Sequence, residues 1–236
     1  MSVFRHSASI FLLFVLLACS SLPQQSLKGP GWYLVKPTDT LYSIAWRYAI
    51  DYQDLARWNG LSDPYIIHPG QQLVLIEPEK LPASSPLPAT VAVETEAGSP
   101  VVVKSLTPSY SQVVRWRWPT QGKVLSRFSA NDLERRGIDI AGKIGQPVHA
   151  VEDGKVVYSG TGLSGYGNLI IVKHNDTFLS AYAFNRNRLV KEGELVKRGA
   201  VIAEMGQGKD NIPMLHFQIR KQGKPVDPML YLPDLE

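Results

Sequence analysis

The 236-residue chain has a single cysteine, Cys19, so no disulfide can close within it. It has no apolar run long enough to span a bilayer. The N-terminal run Ile10–Ala18 has nine residues where a spanning helix needs about 20. It has five histidines, no zinc-finger spacing and no dense Lys/Arg tract. The net charge of +4 is too weak and too scattered for a nucleic-acid surface. Charged residues make up only 19% and hydrophobic residues 44%, which excludes a chain disordered throughout. The basic excess is uneven. Residues 114–236 carry a net +5 and residues 77–113 a net −2. Such a balance suits an anionic partner such as a cell wall or a lipid surface.

What is present at the N-terminus is a targeting pattern. Arg5 and His6 precede the apolar run, which ends in Leu16-Leu17-Ala18-Cys19. That ending resembles the bacterial lipobox. The resemblance implies a signal peptide over 1–18, cleavage before Cys19, and acylation of its thiol and new amine. Ser20 follows the cysteine, and the sorting rule of such lipoproteins then implies an outer-membrane lipoprotein facing the periplasm. A plain secretory signal with an incidental cysteine is the alternative. Residues 19–31 would be a tether.

Residues 32–76 read as a small folded unit of order βααβ. Trp32-Tyr33-Leu34-Val35 is strand-like. Asp39-Thr40 can cap a helix with an apolar face of Leu41, Ile44, Ala45 and Tyr48. Asp51 can cap a second helix, with Asp54 favouring its N-terminal dipole and Leu55 and Trp58 facing the core. Asn59-Gly60 ends that helix, and Pro69-Gly70 turns into the strand Gln72–Ile76. Asp39-Thr40-Leu41, Ile44-Ala45, Leu55, Asn59-Gly60-Leu61 and Ile67-His68-Pro69-Gly70-Gln71 together resemble a LysM module. The resemblance implies binding of N-acetylglucosamine chains of peptidoglycan between two loops. Thr38, Asp39 and Thr40 would come from one, and Asn59, Gly60, Leu61 and Ile66 from the other. Asp39 and Asn59 can equally serve as a helix cap and a turn.

Residues 77–113 hold six of the 17 prolines with repeated Ser, Ala and Thr, which makes them a linker. A flexible 37-residue linker spans roughly 35 Å. Residues 114–236 show strand signals at 124–128, 148–151, 155–158, 168–174, 178–182, 201–205 and 215–220. Turns such as Asp153-Gly154, Glu192-Gly193 and Gln222-Gly223 separate them. Short strands at this spacing predict a mainly antiparallel β-domain. The chain as a whole reads as an α+β module joined by a Pro-rich linker to that domain.

Gly160-Thr161-Gly162-Leu163-Ser164-Gly165 matches a dinucleotide fingerprint in letters only, because an apolar strand rather than a helix follows it. Trp116 and Trp118 could form a stacking platform for sugars, but they read more readily as a strand anchor with one ring buried. Three further pieces matter more: Arg135-Arg136-Gly137-Ile138-Asp139, Tyr182-Ala183-Phe184 and Met214-Leu215-His216. They resemble the H-x-x-x-D, Y-x-H and H-x-H motifs of the LytM/M23 zinc peptidoglycan endopeptidases. By that resemblance Asp139 and His216 are remnant ligands and Arg135 stands at a lost ligand position. Phe184 and Met214 replace two catalytic histidines, and neither exchanges a proton. A catalytic zinc needs three protein ligands. The expectation is therefore no metal, no cofactor and no catalysis. A salt bridge between Arg135 and Asp139 is expected in the old metal position. His174 and His149 are expected to be structural.

Lipobox, LysM, linker and degenerate LytM domain together resemble the NlpD group of murein hydrolase activators. The implied partner is a periplasmic N-acetylmuramoyl-L-alanine amidase, bound in a groove formed by Arg135, Asp139, Phe184, Met214 and His216. The implied outcome is septal wall splitting and cell separation. Phe184 departs from that group, which tends to retain histidine there. A wall-binding lipoprotein without activator role and a residual zinc endopeptidase remain open at this point.

Overall fold

The structure, a computed structural model, describes residues 31–78, 116–132 and 135–234. Cys19, the signal segment, the tether up to residue 30 and nearly all of the linker lie outside the described residues.

The first unit is β1 (Trp32–Leu34), α1 (Leu41–Tyr48), α2 (Tyr52–Trp58) and β2 (Gln72–Val74). β1 and β2 pair antiparallel, Tyr33 opposite Leu73. Thr40 alone caps α1, in a reciprocal box with Ser43. Asp39 instead accepts hydrogen bonds from the Lys36 N–H and the Tyr33 hydroxyl, which fixes the turn before the helix. Asp51 caps α2 through the Gln53 N–H. Of the pair that ends α2, only Gly60 enters the left-handed region, at φ 63°; Asn59 stays at φ −110°. Leu41, Ile44 and Ala45 are buried, as their spacing predicts. Trp46 and Tyr52 are buried too, although they lie outside those apolar stripes.

The second unit is a ten-stranded antiparallel sheet. Its strands are β3 (Val124–Ser126), β4 (Ile138–Ala141), β5 (Pro147–His149), β6 (Gly154–Gly160), β7 (Asn168–Lys173) and β8 (Phe178–Arg188). They continue as β9 (Leu195–Val196), β10 (Val201–Gln207), β11 (Pro213–Lys221) and β12 (Lys224–Val226). The order is β3-β4-β11-β10-β8-β7-β6-β9. β12 lies beside β11, β5 beside β10, and β11 also pairs directly with β8. Strand residues alternate between two faces. Ile138, Ile140, Ile170, Val172, Tyr182, Leu215 and Phe217 fill the inner core with Trp116. Trp116 rests edge-on against His174, Phe178 and Tyr231. Trp118 is half-buried and donates its indole N–H to the Pro233 carbonyl.

The opposite face of the sheet carries Leu169, Ile171, Leu179, Ala181 and Ala183, and these share one core with the LysM helices. The two units are therefore docked. Arg220 on β11 is 1% exposed. Its guanidinium lies 3.6 Å from the centre of the Trp46 ring and donates to the Trp46 carbonyl at 2.7 Å. A desolvated cation over an indole is worth about 2 kcal/mol. The Thr40 hydroxyl donates to the Val157 carbonyl, Arg47 to the Gly162 carbonyl, and the Tyr52 hydroxyl to Asp176. Gly223 meets the α1–α2 turn so closely that a Cβ there would lie 2.5 Å from the Asp51 nitrogen. The Gly160–Gly165 loop thus bonds the LysM unit. A strand, β7, follows it rather than the helix a dinucleotide would need.

Candidate functional site

β4 and β11 pair with Asp139 opposite His216, so both side chains rise from the same face of the sheet. His216 Nδ1 donates to Asp139 Oδ1 at 2.6 Å. Its Nε2 lies 2.8 Å from the Gln218 amide nitrogen and accepts from it, which puts the ring proton on Nδ1. Gln218 also donates to the Tyr166 hydroxyl at 3.2 Å. Arg220 lies two residues beyond Gln218 along β11, on the same face. A polar line thus runs Asp139–His216–Gln218–Tyr166, and Arg220, stacked on the docked Trp46, stands beside it.

Phe184 and Met214 flank His216. The Phe184 ring centre is 6.0 Å from the imidazole. Its backbone is left-handed, φ 62°, and its N–H donates to the Tyr166 carbonyl. A non-glycine residue in that region is strained and is held there by its surroundings. Met214 is nearly buried and lies over Gly208. Arg135 corrects the sequence reading. It is exposed and its Nε donates to Asp132 at 2.7 Å, three residues back. Asp139 is engaged by His216 instead, so the expected Arg135–Asp139 bridge does not form. Four residues along a chain do not bring two side chains together when the later one is on a strand; that spacing works on a helix.

The donor set does not fit a catalytic zinc. Such a site takes three protein ligands and an open position. Among the described residues no three His, Cys, Asp or Glu side chains group as a metal site. The two ligand-type groups that remain are hydrogen-bonded to each other. The other histidines do not approach them. His174 is buried in the inner core. Its Nδ1 is 2.8 Å from the Asp153 carbonyl and its Nε2 2.7 Å from Ser180 Oγ. Burial pulls its pKa down to about 4, against weaker opposing pulls from the Asp153 carbonyl and nearby acids. His149 Nδ1 bonds the Gly199 carbonyl.

In the LysM unit the residues singled out by sequence divide. Asp39, Thr40 and Ile66 line a cleft beside the β-domain. Thr38, at φ 75°, faces a neighbouring hollow with Gly160 and Gly162. Asn59 is a brace. Its amide donates to the Leu55 and Val74 carbonyls and accepts from the Val74 N–H, tying α2 to β2. Gly60 and Leu61 complete that turn. Sequence reasoning did not single out Gln218, Tyr166 or Arg220. The signal was available for two of them, since His216, Gln218 and Arg220 alternate on one strand and must share a face.

A LysM unit of βααβ order, set against a β-domain with two ligand-type side chains left, defines a class: a wall-binding module combined with a peptidase-like domain. The model of peptidase family M23 matches residues 134–228, and the LysM domain model matches 33–75. The lipoprotein NlpD/LppB homolog of Pseudomonas aeruginosa is 40% identical, over 93% of this chain and 88% of its own. The murein hydrolase activator NlpD of Escherichia coli K12 is 38% identical, over 90% of this chain and 70% of its own. A zinc-containing peptidase from Vibrio cholerae is 33% identical in structural alignment, with a TM-score of 0.45. That alignment covers 52% of this chain and 41% of that one. The chain belongs to the NlpD/LppB lipoprotein family.

Proposed function

We propose that the protein is a non-enzymatic envelope lipoprotein that holds peptidoglycan through its LysM module and activates a periplasmic N-acetylmuramoyl-L-alanine amidase. In this reading Cys19 carries the lipid and anchors the chain in the outer membrane, facing the periplasm. The activity serves septal wall splitting and cell separation. Support comes from relatives that bear the name murein hydrolase activator. The observation that carries the reading is the donor set: Asp139 and His216 have no third ligand-type side chain grouped with them among the described residues, and Arg135, Phe184 and Met214 stand at the other motif positions.

The mechanism is a population shift. An activator raises amidase activity only if it binds the open form better than the closed one. The face around His216, with Phe184 and Met214 beside it, offers apolar side chains next to hydrogen-bonding groups. That suits an amphipathic helix of the partner. Anchor and LysM module raise the local concentration of amidase at the wall.

The test is dye release from labelled peptidoglycan by the chain from residue 20 onward, alone and with each periplasmic amidase, with and without zinc. Both units stay in the protein, because removing the LysM unit would expose Ile171, Leu179 and Ala181. Release is expected only with an amidase and without response to zinc. Phe184→Ala and Met214→Ala are expected to cut the stimulation about tenfold or more, as loss of an interface anchor does. Release by the protein alone would sink the reading.

A further inference from the structure

The LysM loops do not face open solvent on all sides. Between them and the β-domain lies a cleft of about 310 Å³. One wall is Asp39, Thr40 and the stretch Asp63–Ile67; the other is Lys155, Lys173, Glu192 and Gly193. Ile66 keeps 62% of its surface exposed at this cleft, an apolar ledge with nothing on it. Lys155 is exposed and has no ion-pair partner among the described residues. Glu192 holds the Ser159 N–H with one carboxylate oxygen. Its other oxygen has no hydrogen bond among the described residues. The second wall is not a chance approach, because the shared core and the Arg220–Trp46 stack hold the two units together.

We propose that this cleft is one glycan site built by both units. Lys155 and Glu192 bind the same N-acetylhexosamine strand that the LysM loops hold. The inference rests on the glycan-binding reading given above and extends it to the β-domain. The chemistry of the walls selects the ligand. Asp39 is paired with Arg47 and Lys173 with Asp176, which leaves Asp63 and Glu192 against Lys155, so the cleft is not an anion trap. A neutral sugar suits it: the Lys155 ammonium donates to hydroxyl or acetamide oxygens, the Glu192 carboxylate accepts from hydroxyls, and Ile66 covers an apolar sugar face or acetyl methyl. Sites for small ligands combine an apolar surface with a few fixed polar groups in this way.

The test is calorimetric titration of the chain from residue 20 onward with tetra-N-acetylchitotetraose. Lys155→Ala and Glu192→Ala alter the β-domain wall, and Ile66→Ala alters the LysM wall. All three side chains are exposed, so folding is retained. Lys224→Ala, outside the cleft, is the control. Each wall variant is expected to weaken binding roughly three- to tenfold, the effect of about one hydrogen bond or one apolar contact. The control is expected to bind unchanged. If Lys155→Ala and Glu192→Ala bind like the unaltered protein while Ile66→Ala is weaker, the shared site is overturned and the LysM reading survives. If the unaltered protein does not bind, the LysM reading fails and the shared site falls with it.

Discussion

His174 is a buried base whose neutral form the fold requires. Its folded pKa of about 4 lies below the 6.5 of an exposed histidine. Above pH 6.5 neither state takes up the proton and the fold loses nothing. Between pH 6.5 and 4 the unfolded chain binds a proton that the folded chain resists, so stability falls as pH falls through that window. The loss is roughly 2 kcal/mol by pH 5. Asp153 and Glu204 have pKa values lowered mainly by hydrogen bonds to Lys197 and Arg186. Their contributions disappear only at lower pH. Urea midpoints at pH 7.5 and 5.0 isolate the histidine. His174→Gln is expected to be weaker at pH 7.5 yet to lose less on acidification. At Gly137 an added Cβ would lie 2.3 Å from the Phe217 carbonyl oxygen. Gly137→Ala is expected to cost about 2 kcal/mol or more by thermal denaturation and to part β4 from β11. At this scale the resemblance assigned Asp139 and His216 to one site, but their direct hydrogen bond was not legible in the sequence. It depends on the β4–β11 register, and the two residues are 77 positions apart.

The elements show which patterns were legible and which were not. The helices of the LysM unit and the long strands follow from caps, turns and periodicity, because those signals are local. Trp46 and Tyr52 broke the helical pattern, and each does so because it faces the other unit. β7 carried a clue. Leu169-Ile170-Ile171-Val172 is a continuous apolar run, and an antiparallel strand that reads so has both faces covered. The cover is the LysM module, which sequence periodicity cannot name. Arg220 is where the two elements meet. Arg220→Met is expected to cost about 2–4 kcal/mol in urea denaturation, since it removes the stack and strands the Trp46 carbonyl. Arg220→Lys is not expected to restore it, because an ammonium lacks the planar group that stacks on indole. Trp46 emission should shift to the red in both variants.

Across the whole molecule, the linker composition suggested two bodies able to drift roughly 35 Å apart. The structure has them sharing one core instead. Two units that share a core unfold together. A single calorimetric transition is therefore expected for the intact chain, and two separated transitions for Arg220→Met. The candidate groove and the cleft beside Ile66 lie on the same face of the sheet. A wall strand held in the cleft would therefore fix the direction from which a partner meets His216.

Both ends of the 79–115 segment, Pro78 and Trp116, belong to that one docked body. The segment therefore begins and ends at fixed places on one body. If Cys19 carries the lipid, the working radius is set by the stretch from Cys19 to Gly31 alone, at most about 40 Å when fully stretched. In that case added residues between 20 and 30 lengthen the reach, while added residues between 79 and 115 do not. With Cys19 lipidated, the gap the protein can bridge between membrane and wall is set by those dozen residues.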